Sequence, residues 1–232
     1  MGRRPDDDRR GPGLIPLVPP DPEGIEAAAE ALAAGRLVLH PTETVVSLTG
    51  DPYREEAVEA ARLLKGYDTP RPFLCLVSDA EAARGMAAEW TQGARRLSAA
   101  FWPGPLTLIV PATSEAPAPV VDAGRLALRP ASDEVSRRLL AAWRGPLFST
   151  SANLKGKLPS LRVSEAARAL APAPGGEAVA LGLLEPRSAD GEPAAAGEPS
   201  TIVDVSTTPP RVVRLGAVSL DEIRRVIGLA GD

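Results

Sequence analysis

One histidine, His40, and one cysteine, Cys75, are all that this 232-residue chain has of either residue. A lone cysteine excludes an intramolecular disulfide, and with so few soft ligands no zinc cluster can form. Cys75 sits in the apolar run PFLCLVSD and is expected to be buried and inert. A Ser-His-Asp hydrolase would have to run through His40, and no G-x-S-x-G elbow is present. Beside the apolar LVL, His40 is expected to be a satisfied, half-buried side chain. No G-x-G-x-x-G follows a strand pattern, and no Walker loop is written anywhere. Aromatics make up 3% of the chain against 44% hydrophobic residues, so the core must come from Ala, Leu and Val. A formal net charge of -4 removes any global electrostatic case for a nucleic-acid or anionic-membrane partner, while leaving room for a local basic pocket. No uninterrupted apolar run reaches membrane-spanning length, and the opening MGRRPDDDRRGPG has charge but no apolar core of a secretory signal. The expectation is no membrane role, no bound metal cluster and a reduced, cytoplasmic setting.

What is present is an alternation of helix and strand patterns. Residues 1–20, rich in Pro, Gly, Arg and Asp, read as a disordered leader. Residues 21–232 read as a single domain, long enough for a proper core. Residues 171–199 read as a low-complexity insertion holding one strand pattern, AVALGLL. DPEGIEAAAEALAAGR has an Asp-Pro start, early acidic residues and a glycine stop, which predicts a helix. REEAVEAARLLKG predicts another, with Val58, Ala61 and Leu64 at helical spacing and Gly66 as its cap. LVLH, RPFLCLVSD, PLTLIVPA, RLALRPA, PLFSTSAN, STIVDVS and RVVRLG read as strands. Such alternation predicts an α/β layered fold whose crossovers make much of the sheet parallel.

Four polar islands fall at predicted strand ends, where α/β sheets place ligands. They are PTET, KGYDTPRPF with Lys65 and Arg71, LRPAS with Arg129, and STSANLKG with Ser149, Thr150, Ser151 and Asn153. Converging hydroxyls, amides and basic groups suit an anionic, oxygen-rich ligand: lysine as a point charge, arginine as a fork, Ser and Asn as orienting bonds. Each island also has a plainer reading. Hydroxyls cap turns, a lysine ends a helix favourably, and an arginine closes a surface ion pair.

Taken in order, HPTETVVSLTGD, LLKGYDTPRPF, FWPGPLTLIV, LALRPASD, FSTSANLKG, EPSTIVDVS and VVRLGAVS resemble the YrdC/TsaC-like threonylcarbamoyl-AMP synthases, from about Gly35 to Gly228. The resemblance implies a YrdC-like, twisted, mostly parallel sheet with helices around a positively charged central cavity. It implies synthesis of threonylcarbamoyl-adenylate and pyrophosphate from L-threonine, bicarbonate and ATP, with magnesium. The product then passes to a tRNA threonylcarbamoyl-transferase complex; direct RNA binding is left open. By the same resemblance Lys65 and Arg129 act in catalysis, Lys65 facing phosphates and Arg129 neutralising charge near the reacting groups. Thr42 and Thr44 line the threonine end, Ser151 and Asn153 hold nucleotide phosphates, Ser200 and Thr201 close the wall, Arg214 sits near the nucleotide, and Arg71 adds charge in its loop. The chain departs from the family pattern at four places. Val46 and Ser47 stand where a Tyr-Gly is usual, Tyr67 where K-x-R has its Arg, and Lys155 where S-A-N-x-S-G has its Ser. Those departures favour, as the alternative, a paralogue that binds nucleotide or RNA without catalysis or accepts another amino acid.

Overall fold

The computed structural model describes residues 14–67, 72–186 and 197–228. In chain order the elements are β1 (Leu17–Val18), α1 (Pro22–Ala33), β2 (Leu37–His40), β3 (Ser47–Gly50), α2 (Glu55–Lys65), β4 (Leu74–Val77), α3 (Ala80–Gly85), α4 (Gln92–Phe101) and β5 (Leu106–Pro111). There follow β6 (Arg125–Pro130), α5 (Glu134–Trp143), β7 (Leu147–Ser151), α6 (Val163–Leu170), β8 (Val179–Leu183), β9 (Thr201–Asp204), β10 (Arg211–Arg214) and α7 (Leu220–Ile227).

Local chemistry explains the helix limits. Asp21 caps α1 by accepting from the Gly24 amide at 2.9 Å, with Pro22 in the first turn where its missing N–H costs nothing. Asp133 caps α5 through the Ser136 amide at 2.8 Å. Ser219 and Glu222 form a reciprocal capping box on α7. Gly66 ends α2 at φ 66°, a left-handed conformation that glycine adopts without a Cβ clash.

All the strands join one sheet in the order β1-β8-β2-β3-β7-β4-β6-β5-β9-β10. The pairs β1–β8, β8–β2, β4–β6 and β5–β9 are parallel; the other five are antiparallel. The α/β class holds, and the sheet is mixed. Antiparallel pairing enters because the six residues between β2 and β3 turn the chain straight back instead of crossing over. One strand falls where the sequence suggested no order, and it pairs with the strand expected at AVALGLL. Leu17–Val18, inside the expected disordered leader, pairs with β8 at one sheet edge, and β8 lies within the expected insertion. Residues 1–13 of that leader and 187–196 of that insertion lie outside the described residues.

Residues opposite one another in a ladder share a face of the sheet. On one face, α1 and α5 pack Ile25, Ala28, Leu32, Val135, Leu139 and Leu140 onto Val38, Leu76, Leu147 and Leu181. The other face carries α2, α4, α6 and α7 over Leu37, Leu39, Cys75, Val77, Leu106, Leu108, Leu126, Leu128 and Phe148. Each fully buried leucine contributes roughly 2 kcal/mol, so both faces are anchored without help from many aromatics. Cys75 is fully buried, and burial pushes its thiol far above the ordinary range, which makes it inert. No helix among the described residues is long and apolar enough to cross a membrane.

Candidate active site

The face covered by α1 and α5 does not stay apolar. Leu147 lies opposite Leu76, and Leu76 lies opposite Arg129, so one row passes from core to cation within three strands. Further along, His40 opposes Ser47, and Ser47 opposes Ser151. This polar end of the face borders a cavity of about 400 Å³. Its floor alternates with the core: on β5, Thr107 and Ile109 face the cavity while Leu106 and Leu108 face the helices.

Six of the ten residues singled out from the sequence line this cavity: Thr42, Thr44, Arg129, Ser151, Ser200 and Arg214. They come from the β2–β3 turn, β6, β7, the approach to β9, and β10. Thr42 organises its turn. Its hydroxyl donates to the Val45 carbonyl at 2.7 Å and accepts from the Thr44 amide at 3.1 Å. The Thr44 hydroxyl lies 3.0 Å from that of Thr42, and so serves as donor to it while keeping lone pairs for Arg129 at 3.4 Å. Arg129 is 3% exposed and also lies 3.4 Å from the Glu43 carboxylate. Across the cavity, Arg214 donates to the Ser200 carbonyl at 2.8 Å, and the Ser200 hydroxyl lies 2.9 Å from that of Thr107. Burial, then the nearby Arg129 charge, lower the Arg214 guanidinium below its ordinary value. Two like charges facing one void make it a place where an anion is favoured.

The remaining predicted residues stand apart. Lys65 does not line the cavity; it is 1% exposed at the end of α2 and reaches the wall from behind. Its ammonium donates to the Ser151 carbonyl at 2.5 Å and to Asn153 Oδ1 at 2.8 Å, and lies 5.8 Å from the Tyr67 ring centre. Burial pulls its pKa down to about 8. Asn153 is absent from the lining as well. Besides holding Lys65, it ties the following turn by donating to the Lys157 carbonyl at 2.5 Å. Thr201 departs from the expectation of a wall-closing residue. Its hydroxyl donates to the Val218 carbonyl at 2.6 Å and accepts from the Gly216 and Val218 amides at 2.9 and 3.0 Å. It therefore pins the turn after β10, where a Cβ on Gly216 would sit 2.0 Å from the Pro199 carbonyl oxygen. Arg71 lies outside the described residues.

His40 also differs from a satisfied, half-buried residue. It is fully buried; Nδ1 lies 3.0 Å from the Pro41 carbonyl and 3.2 Å from the Ser136 hydroxyl, while Nε2 has no partner. Burial drives its pKa down to about 4, the Pro41 carbonyl opposing and the Arg129 charge assisting. The ring is neutral at physiological pH.

Sequence reasoning missed Thr107 as a cavity residue; Tyr67 and Ser47, named only as departures from the family pattern, line it too, with the Ser47 hydroxyl 2.7 Å from that of Ser149. For Thr107 the signal was available: a lone hydroxyl in the apolar run LTLIV is out of place in a strand buried on both faces. Among the described residues no three His, Cys, Asp or Glu side chains gather as a metal site. Among the described residues the cavity lining contains no carboxylate.

The chain is thus an α/β protein with one mixed sheet and a cavity on one face flanked by Arg129 and Arg214. More narrowly, the chain belongs to the Sua5/yciO/yrdC family, whose pattern, described as telomere recombination, matches residues 30–216. A Mycobacterium tuberculosis relative is 34% identical over 221 residues, covering 90% of this chain and 93% of its own. The threonylcarbamoyl-AMP synthase of Pyrococcus abyssi is 32% identical over 206 residues, 88% of this chain but 57% of that protein. Among solved structures, P. abyssi Sua5 complexed with L-threonine superposes with a TM-score of 0.80 at 27% identity, covering 93% of this chain and 60% of that one. E. coli YciO, at 22% identity and a TM-score of 0.76, covers 91% of this chain and 99% of its own, and supports the fold alone.

Proposed function

We propose that the protein makes threonylcarbamoyl-adenylate from L-threonine, bicarbonate and ATP. One observation carries the reading: a cavity of about 400 Å³ flanked by Arg129 and Arg214 and ringed by hydroxyls, in a chain whose relative Sua5 is known with L-threonine bound. The threonine amine takes up bicarbonate with loss of water, giving a carbamate. A carbamate oxygen then attacks the α-phosphorus; that P–O bond forms as the bond to the pyrophosphate oxygen breaks, and the electron pair leaves with pyrophosphate. No covalent enzyme intermediate is required, so alignment and charge neutralisation suffice.

In this scheme Arg129 takes the amino-acid carboxylate or carbamate with Thr44 beside it. Arg214 and Ser200 meet the nucleotide from the opposite wall. Lys65, held by Ser151 and Asn153, supplies charge at the phosphates, and Arg71 would add more. Thr42 and Thr201 act through the turns they hold. Among the described residues the lining does not fit a protein-held magnesium site; magnesium would enter with the ATP phosphates, and no step is assigned to it. The adenylate would serve a tRNA threonylcarbamoyl-transferase complex in the cytoplasm. Tyr67, on the cavity wall where the family carries Arg, favours a second reading: a nucleotide-binding module without turnover.

The test is pyrophosphate release from L-threonine, bicarbonate, ATP and magnesium by the purified protein. Release that a Lys65→Ala variant loses supports the synthase. No release above that variant, with ATP still binding by calorimetry, supports the binding module instead.

A further inference from the structure

Arg129 and Glu43 form a buried pair that leaves most of its bonding capacity unused. The guanidinium side chain is 4% exposed, and its two partners, a Glu43 oxygen and the Thr44 hydroxyl, both lie at 3.4 Å. Its Nε has no partner, and neither do the two buried carboxylate oxygens of Glu43 by hydrogen-bond geometry. Charge-assisted pairs normally close to about 2.7–2.9 Å. Here attraction acts without proper bonds, which is a costly way to bury two charges. The neighbours offer no relief: the His40 ring is buried and neutral with Nε2 unpartnered, and the Thr44 hydroxyl is already shared with Thr42. Arg129 lines the cavity, whereas Glu43 stands behind it and does not.

We infer that Glu43 is a resident counter-anion for Arg129. It partly neutralises the guanidinium while the cavity is empty and competes for that charge with an incoming carboxylate. Glu43 is thus a positioning residue that sets how tightly small carboxylates are held. Naming the natural carboxylate as that of threonine, or its carbamate, rests on the synthase reading above; the competition itself does not.

The experiment compares wild type, Glu43→Gln and Glu43→Asp in calorimetric titrations with L-threonine, acetate and pyrophosphate, alongside thermal shifts by the same probes. Glutamine keeps the shape and removes the charge. The expected result is carboxylate binding roughly threefold to tenfold tighter, the scale of one partly desolvated charge contact, with larger thermal shifts. A variant that was merely damaged would bind more weakly. Aspartate keeps the charge but lengthens the pair, so it should gain less. If Glu43→Gln does not fold, the aspartate variant decides by gaining or failing to gain. Equal or weaker binding of every carboxylate overturns the inference. A gain for acetate with no binding of L-threonine by any form upholds the counter-anion and defeats the threonine reading.

Discussion

The two ends of one sheet face follow opposite rules. Under α1 and α5, Val38, Leu76, Leu147 and Leu181 are sealed by apolar helix residues. A strand or two away, the same face offers Ser47, Ser149, Ser151, Thr107 and Arg129 to a void. The covered end stores stability through burial. The open end keeps charges short of partners, a condition that a fold tolerates where a ligand is to supply what is missing. Stability and recognition are thus separated along the sheet, so damage to one end should leave the other readable.

The sharpest break in that contrast is a pair of variants. Replacing both buried charges, Arg129→Met with Glu43→Gln, should cut pyrophosphate release up to about a thousandfold, the scale of a lost charge-stabilising group. Stability in urea should be unchanged or better, because an imperfect buried ion pair is replaced by apolar or neutral groups. Leu139→Ala, in the sealed end, should cost about 3 kcal/mol in urea while the folded protein retains substrate affinity. Finding both effects in either variant would show that the ends are coupled.

A comparable change follows acidification. His40 has a folded pKa of about 4 against 6.5 when free. Between those values the unfolded chain binds more protons, so stability falls as pH drops from 6.5 towards 4 and levels off below it. The full shift corresponds to about 3 kcal/mol. His40→Gln should flatten that part of the stability curve, measured by urea midpoints across pH.

The smallest effect concerns Lys65, buried behind the open end against Ser151 and Asn153. Its pKa of about 8 means that it loses its charge well below the pH at which a free lysine would. The KM for ATP should rise by up to about tenfold between pH 7 and 9, in proportion to the ammonium lost. Lys65→Arg, always charged, should remove the rise even if its overall rate is lower.

The sealed end was the legible one. The Asp21 start of α1, and the Gly66 stop and apolar spacing of α2, mark their elements locally. The strands LVLH, RPFLCLVSD, RLALRPA and AVALGLL were readable from the same local signals. The open end was legible as a set of polar islands but not as geometry. β3, the four residues SLTG, has no alternation because all four are buried between two antiparallel neighbours. β1 hid in a proline-rich stretch because it is formed by what it pairs with, not by its own propensity. Lys65 read as a cavity cation, yet its length lets it turn to Ser151 and Asn153, a choice that only the tertiary neighbours make. Thr201 read as a wall residue by resemblance; its hydroxyl turns instead to the Gly216 and Val218 amides, a choice that only the fold around β9 makes.

β8 has one more consequence, which concerns time. It lies between β1 and β2, and both of their parallel ladders are made with it. During synthesis, then, the first strands of the chain have no sheet to join on that side until residue 183 has left the ribosome. The amino-terminal fifth of the molecule must wait, with its edges open, for a strand encoded near the other end.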